Sequence, residues 1–255
     1  MSDEADGGTV DLWSLAEDVV VEPGAQEGEL VLTGRWGTER VSFSHPVVEE
    51  ALRRMELGPV LLANLEAKSA ESAEGGDGGG GDGRADTDGA DGADDHDERA
   101  CLLVQLERLS HLIVRTLGVD DLGGPLLSAA PLFPLARFSL TPLPGRRPVR
   151  LPSGASLTVG RGGVTVQAPD SSYRVLVHRP EAAWVLARLA WPVTPDQMAA
   201  ALALPVGVTK RIMDYLAAAG MAAEAADDER VPPPVLSGGG GGGGRAVLRA
   251  SDEPG

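Results

Sequence analysis

Cysteine is almost missing from these 255 residues. Cys101 stands alone, so no intramolecular disulfide can form, and on an apolar helix it reads as a small buried hydrophobe rather than a reactive thiol. Long hydrophobic runs are missing too: none approaches the roughly 18 residues that cross a bilayer. Met1 to Gly8 is acidic where a signal peptide would be basic. The expectation is a cytoplasmic protein without a membrane partner.

Signatures of catalysis and metal binding are equally scarce. No Gly-x-Ser-x-Gly occurs, and the four histidines are isolated from one another. His45 and His178 flank helix starts and read as hydrogen-bonding turn residues, His111 falls mid-helix, and His96 lies in an acidic run. None has zinc-ligand spacing to another His or to Cys101. The series Asp86, Asp88, Asp91, Asp94, Asp95 resembles a calcium loop only at first sight, because Ala90 and Asp91 occupy places where an EF-hand needs an acid and then a glycine. The glycine run 238–244 has no strand before it and no Lys-Ser/Thr after it, so it reads as a linker rather than a phosphate loop. The expectation is no catalytic, cofactor-binding or metal-binding residue in this chain.

Two stretches are too poor in apolar residues to pack. Residues 70–98 are almost entirely Gly, Asp, Ala, Ser and Glu, and 227–255 are rich in Gly, Pro and charge. Neither offsets the entropy of ordering, so a disordered acidic insert and a disordered tail are expected there. What remains divides into module one, 1–132, and module two, 133–226.

Charge is distributed unevenly between the modules. The net charge is −16, with four Arg against fourteen Asp and Glu over 1–66, and three basic against eleven acidic residues over 67–99. Residues 133–224 reverse the sign, with nine Arg and Lys210 against five acids. A basic module inside an acidic protein favours an anionic partner at module two. Two cations, Lys210 and Arg211, are too sparse a surface for duplex DNA, whose binding is dominated by phosphate neutralisation. An acidic peptide fits the asymmetry better.

The chain also repeats itself at an offset of 134 residues. Gly28 to Val41 lies over Gly162 to Val175, and the register continues through Pro46 and Pro180, Leu52 and Leu186, Arg54 and Arg188, Met55 and Leu189. In each copy alternating apolar residues enter and leave a turn (Leu30, Leu32, Val41, Phe43; Val164, Val166, Val175, Val177), which predicts a β-hairpin. A proline then opens a helix, at 46–57 or 180–190. In module two, Thr194-Pro195 caps a second helix reaching about Leu202, and Pro205 to Ala219 forms a third, stopped by Gly220. Module one is expected to match, with helices at Pro59–Ala67 and Arg99–Leu117 on either side of the acidic insert. The predicted fold class is α+β, two tandem winged-helix-like modules of a β-hairpin plus three short helices each.

Several phrases resemble one family. Leu12-Trp-Ser-Leu15, Ala51-Leu-Arg-Arg-Met-Glu-Leu-Gly-Pro59, Leu109 to Gly118, Gly124 to Ala129 and His178-Arg-Pro-Glu-Ala-Ala-Trp184 are similar to the N-terminal region of SagB-type peptide dehydrogenases. The resemblance implies FMN-dependent oxidation of azolines to thiazoles or oxazoles in ribosomally made peptides. That reaction belongs to a nitroreductase-like domain following the winged-helix part. No position here matches a flavin or catalytic residue, so FMN is implied only for that absent domain.

The expected function is therefore non-catalytic: binding or scaffolding an acidic leader or precursor peptide beside a cyclodehydratase or nitroreductase-like partner. The peptide would add to the hairpin edge around 173–177, with its acidic side chains meeting Arg174, Lys210 and Arg211. A winged-helix transcriptional regulator and a structural adaptor without peptide affinity are the alternatives.

Overall fold

The computed structural model describes residues 8–43, 45–62, 91–121 and 123–225, with 91–99 as a helical backbone. The chain is α+β. Among the described residues there are five helices and three antiparallel sheets. The largest sheet has seven strands in the order β5-β1-β6-β7-β11-β10-β9. These are β1 Thr9–Leu15, β5 Val60–Leu61, β6 Ile113–Val119, β7 Pro125–Pro131, β9 Ser156–Gly160, β10 Gly163–Gln167 and β11 Tyr173–Val177. A separate meander joins β2 Val20–Pro23, β3 Glu29–Gly34 and β4 Gly37–Ser42, and β8 Val149–Arg150 pairs with β12 Ala223–Glu224.

Both hairpins of the repeat form where alternation places them, β3–β4 in the first copy and β10–β11 in the second. In each copy a further strand extends the hairpin to three, β2 beside β3 and β9 beside β10. The turn into β10 requires glycine: Gly163 has φ +119°, and a Cβ there would lie 2.2 Å from the Val177 carbonyl oxygen.

The helices that follow, α1 Pro46–Leu57 and α3 Pro180–Arg188, both carry proline in the first turn, where its missing N–H has no partner to lose. Next comes α4 Pro195–Ala201, closed by a capping box in which Gln197 N–H donates to Thr194 Oγ1 (3.1 Å) and Thr194 N–H donates to Gln197 Oε1 (3.0 Å). The last helix is α5 Val206–Ala218, and Gly220 at φ +71° ends it.

Two apolar cores result. The first joins Leu30, Leu32 and Val41 of the meander to Leu52 and Met55 of α1 and to Leu102 and Leu106 of α2, the helix Asp91–Arg108. The second joins Leu127 and Val175 of the large sheet to Leu186, Ile212 and Leu216 of α3 and α5. Strand β6 links them, with Ile113 in the first core and Leu117 in the second.

Module one departs from the expected pattern in two places. The helix predicted from Arg99 to Leu117 ends at Arg108. After a 3-10 turn at Ser110–Leu112, the chain continues as β6. Ile113, Val114 and Thr116 are β-branched, and pairing with β1 on one side and β7 on the other overrides the helical spacing of Leu109, Ile113 and Leu117. Toward its N-terminus α2 reaches Asp91, so 91–98 of the expected insert is helical: a helix anchored by Leu102, Leu106 and Leu109 propagates at little cost. The helix expected at Pro59–Ala67 begins instead as strand β5, because Val60 and Leu61 pair with Trp13 and Leu12. Residues 63–67 of that expected helix, residues 70–90 of the insert and the whole 227–255 tail lie outside the described residues.

The described residues up to Ala225 belong to one compact unit. The boundary expected at 132/133 falls between β7 and β11, which are hydrogen-bonded neighbours in one sheet. Among the described residues, no helix is long and apolar enough to cross a membrane.

Candidate functional site

Residues opposite one another in a sheet share a face. The registers Ser14↔Val114, Thr116↔Ser128, Ser128↔Leu176 and Leu176↔Thr165 therefore define one face of the large sheet. Trp13↔Arg115, Leu117↔Leu127 and Val175↔Val166 define the other, which α5 covers through Tyr215 and Arg211. The first face carries a groove of about 510 Å³, floored by Ser14, Thr116, Ser128 and Leu176 and rimmed by Glu17, Arg35 and Pro59.

A hydrogen-bonded chain crosses that floor. Thr116 Oγ1 and Ser128 Oγ are 2.9 Å apart, and Ser128 Oγ lies 2.9 Å from His178 Nε2. Burial holds the His178 imidazole below the usual histidine range, which favours its neutral form. A neutral imidazole beside a serine hydroxyl has the elements of a base and a nucleophile. No carboxylate among the described residues hydrogen-bonds the ring to orient it, so the contact ties β6, β7 and the end of β11 together. Nor does any group of three or more His, Cys, Asp or Glu among the described residues have metal-binding placement.

The three expected peptide contacts are not brought together. Arg174 is exposed on the rim of the groove, and among the described residues no hydrogen bond or ion pair holds its guanidinium. Lys210 and Arg211 lie on α5, beyond the opposite face. Lys210 Nζ pairs with Asp196 at 2.9 Å, and Arg211 pairs with Asp11 of β1. Tyr215 donates its phenol to the same Asp11 carboxylate (2.7 Å), and burial pushes that phenol well above its ordinary pKa. Beside it Arg115 stacks on Trp13, 3.4 Å from the ring centroid, and burial pulls its pKa down. The basic third helix thus fastens module two to β1.

Strand edges show a second difference. The edge at 173–177 cannot take a peptide because β7 already fills it, with Tyr173 opposite Pro131 and Val177 opposite Leu127. Leu132 N–H donates to Ser172 C=O (2.8 Å) and His178 N–H to Leu126 C=O (2.9 Å), so the main-chain groups of 172, 174, 176 and 178 point toward β7. At the offset of 134 those positions become 38, 40, 42 and 44.

In the first copy, Phe43 N–H donates to Gly28 C=O (2.9 Å), which turns 43, 41 and 39 toward β3 and leaves Thr38, Arg40 and Ser42 facing outward. Strand β4 pairs only with β3 among the described residues, and its outward edge has no strand beside it. Side-chain burial follows the same contrast. Tyr173 and Val177 are 2% and 3% exposed, whereas their counterparts Glu39 and Phe43 are only half-buried.

Sequence reasoning missed β7, the strand that closes the β11 edge. Its signal was a short apolar run, Pro125 to Pro131, bounded by Gly123-Gly124 and Pro134, which fits a buried strand. Neither a protein-family model nor a curated protein matches the chain.

Proposed function

We propose that this chain is the peptide-engaging, non-catalytic portion of a SagB-type, azoline-oxidising dehydrogenase system acting in the cytoplasm. Its two copies are read as winged-helix-like modules, and the FMN chemistry falls to a nitroreductase-like partner. The observation that carries the reading is the free edge of β4, at the position where the second copy accepts a strand. An extended leader or precursor peptide would pair its main chain with Thr38, Arg40 and Ser42. The groove opens at the same end, because Arg35 on the β3–β4 turn lines it. Acidic residues of the peptide then reach Arg174, the expected cation that has no ion-pair partner among the described residues.

The regulator reading is weaker. Lys210 and Arg211 are neutralised by Asp196 and Asp11, which removes the phosphate contacts a recognition helix needs. The adaptor reading expects no peptide affinity at all, and a binding measurement separates it.

That measurement uses a labelled acidic leader peptide and fluorescence anisotropy. Arg40→Pro removes an outward N–H without breaking the β3 ladder, a place where an edge strand tolerates proline. Arg40→Ala removes the charge and keeps the N–H. Binding by the parent chain, about tenfold weaker in Arg40→Pro than in Arg40→Ala, supports the reading. Equal affinities in the two variants, or no binding by the parent, contradicts it.

A further inference from the structure

The seven-stranded sheet ends at β9, and that end is undefended. All five residues from Ser156 to Gly160 are exposed, and among the described residues β9 pairs only with β10. Leu157 is 52% and Val159 83% exposed. Natural edge strands are usually blunted by a charge, a proline or a bulge. None is present here: Ser156-Leu-Thr-Val-Gly160 has no charged residue and no proline, and its ladder with β10 runs without a register shift.

Main-chain directions complete the picture. Gly160 and Gly163 flank the two-residue turn Arg161-Gly162, which makes them a mutually bonded pair. Gly160, Thr158 and Ser156 therefore bond toward β10, and Leu157 and Val159 hold their N–H and C=O groups outward. The side chains of Leu157 and Val159 share the face of Val166 and Val164, the apolar face of the sheet.

We propose that β9 pairs with β9 of a second copy of this chain, antiparallel about a two-fold axis through Thr158. A two-fold contact requires a self-complementary surface, and β9 is one. Under this axis Leu157 lies opposite Val159 of the second copy, and Val159 opposite its Leu157. Those are the residues with outward main-chain groups, so each pair exchanges both hydrogen bonds. The same pairing gathers two Leu157 and two Val159 side chains into one apolar patch. Arg161, the nearest charge, falls opposite the small Ala155, so no like charges meet. An unrelated extended peptide would satisfy the main chain but has no reason to match this apolar pair in register.

A single strand pair covers less than the ~1,200 Å² of a stable interface, so the dimer is weak. The net charge of −16 opposes it, and salt that screens this charge strengthens it.

Sedimentation equilibrium of the full chain tests the proposal, at rising protein concentration in low salt and at ~0.5 M salt. Mass should climb toward the dimer with concentration, and more steeply at high salt. Val159→Lys places a charge in the patch, and Val159→Pro removes an outward N–H. Each should weaken association about tenfold or more, while Arg161→Ala should not weaken it. Circular dichroism of each variant checks that the fold is kept. A monomer throughout the range, or a dimer that both Val159 variants leave intact, overturns the proposal.

Discussion

The two copies of the repeat share a hairpin and a proline-led helix, and they differ in what lies beside the hairpin. In the second copy β7 closes the edge of β11, and α5 is fastened to β1 through Asp11, Arg211 and Tyr215. In the first copy no strand among the described residues covers the matching edge of β4, and its flanking side chains are half-buried. Similar local patterns need not carry similar sites: the second hairpin is part of a continuous sheet, while the first keeps main-chain groups that a strand can still use. The basic composition of module two, which points there for an anionic partner, is spent in part on ion pairs inside the molecule, at Arg147, Arg179, Lys210 and Arg211.

Breaking the closed copy should cost the most. Leu127 of β7 is fully buried, and Leu127→Ala should lower stability by about 2–5 kcal/mol. Urea denaturation measures this, and a loss below about 1 kcal/mol would mean that β7 is not packed into the second core. Removing the fastening should come next. Asp11→Ala leaves Arg211 and the Tyr215 phenol without their shared acceptor, which should cost about 1–3 kcal/mol in the same assay.

A smaller effect lies on the groove floor. Burial lowers the His178 pKa, so the folded state favours the neutral ring. That contribution to stability is present above the ordinary value of 6.5 and declines as pH falls through the lowered one. NMR titration of the ring should place His178 below 6.5, and His178→Gln should remove that part of the pH dependence. A normal titration would show that the ring is not shielded. Smallest of all, Lys210→Ala should change stability by about 0.5 kcal/mol or less, since both partners of its ion pair are exposed. Peptide affinity should also stay the same, in contrast to Arg174→Glu, which should weaken an acidic peptide.

Most of module two was legible in the sequence because its signals are local. Alternation marks Val164 to Val177, proline opens α3, and the Thr194 and Gln197 pair caps α4. Module one was legible through α1 and again over 99–108, where the expected helix forms. Leu109, Ile113 and Leu117 keep helical spacing, and only the neighbours β1 and β7, distant in sequence, make that stretch a strand. The site was harder to read for the same reason. Whether an arginine is free depends on which acid reaches it, and Asp11 lies 200 residues from Arg211. Whether a strand edge is free depends on β7, a short apolar run whose partner strand cannot be read locally and which pairs across the expected module boundary.

The most direct measurement is amide hydrogen exchange by NMR, with and without a saturating leader peptide. The amides of Thr38, Arg40 and Ser42 point away from β3 and should exchange fast in the free chain. Arg174 and Leu176, their sheltered counterparts, should exchange slowly throughout. Peptide should slow the first three and leave the other two as they were. Unchanged exchange at Thr38, Arg40 and Ser42 while the peptide is bound would contradict the account.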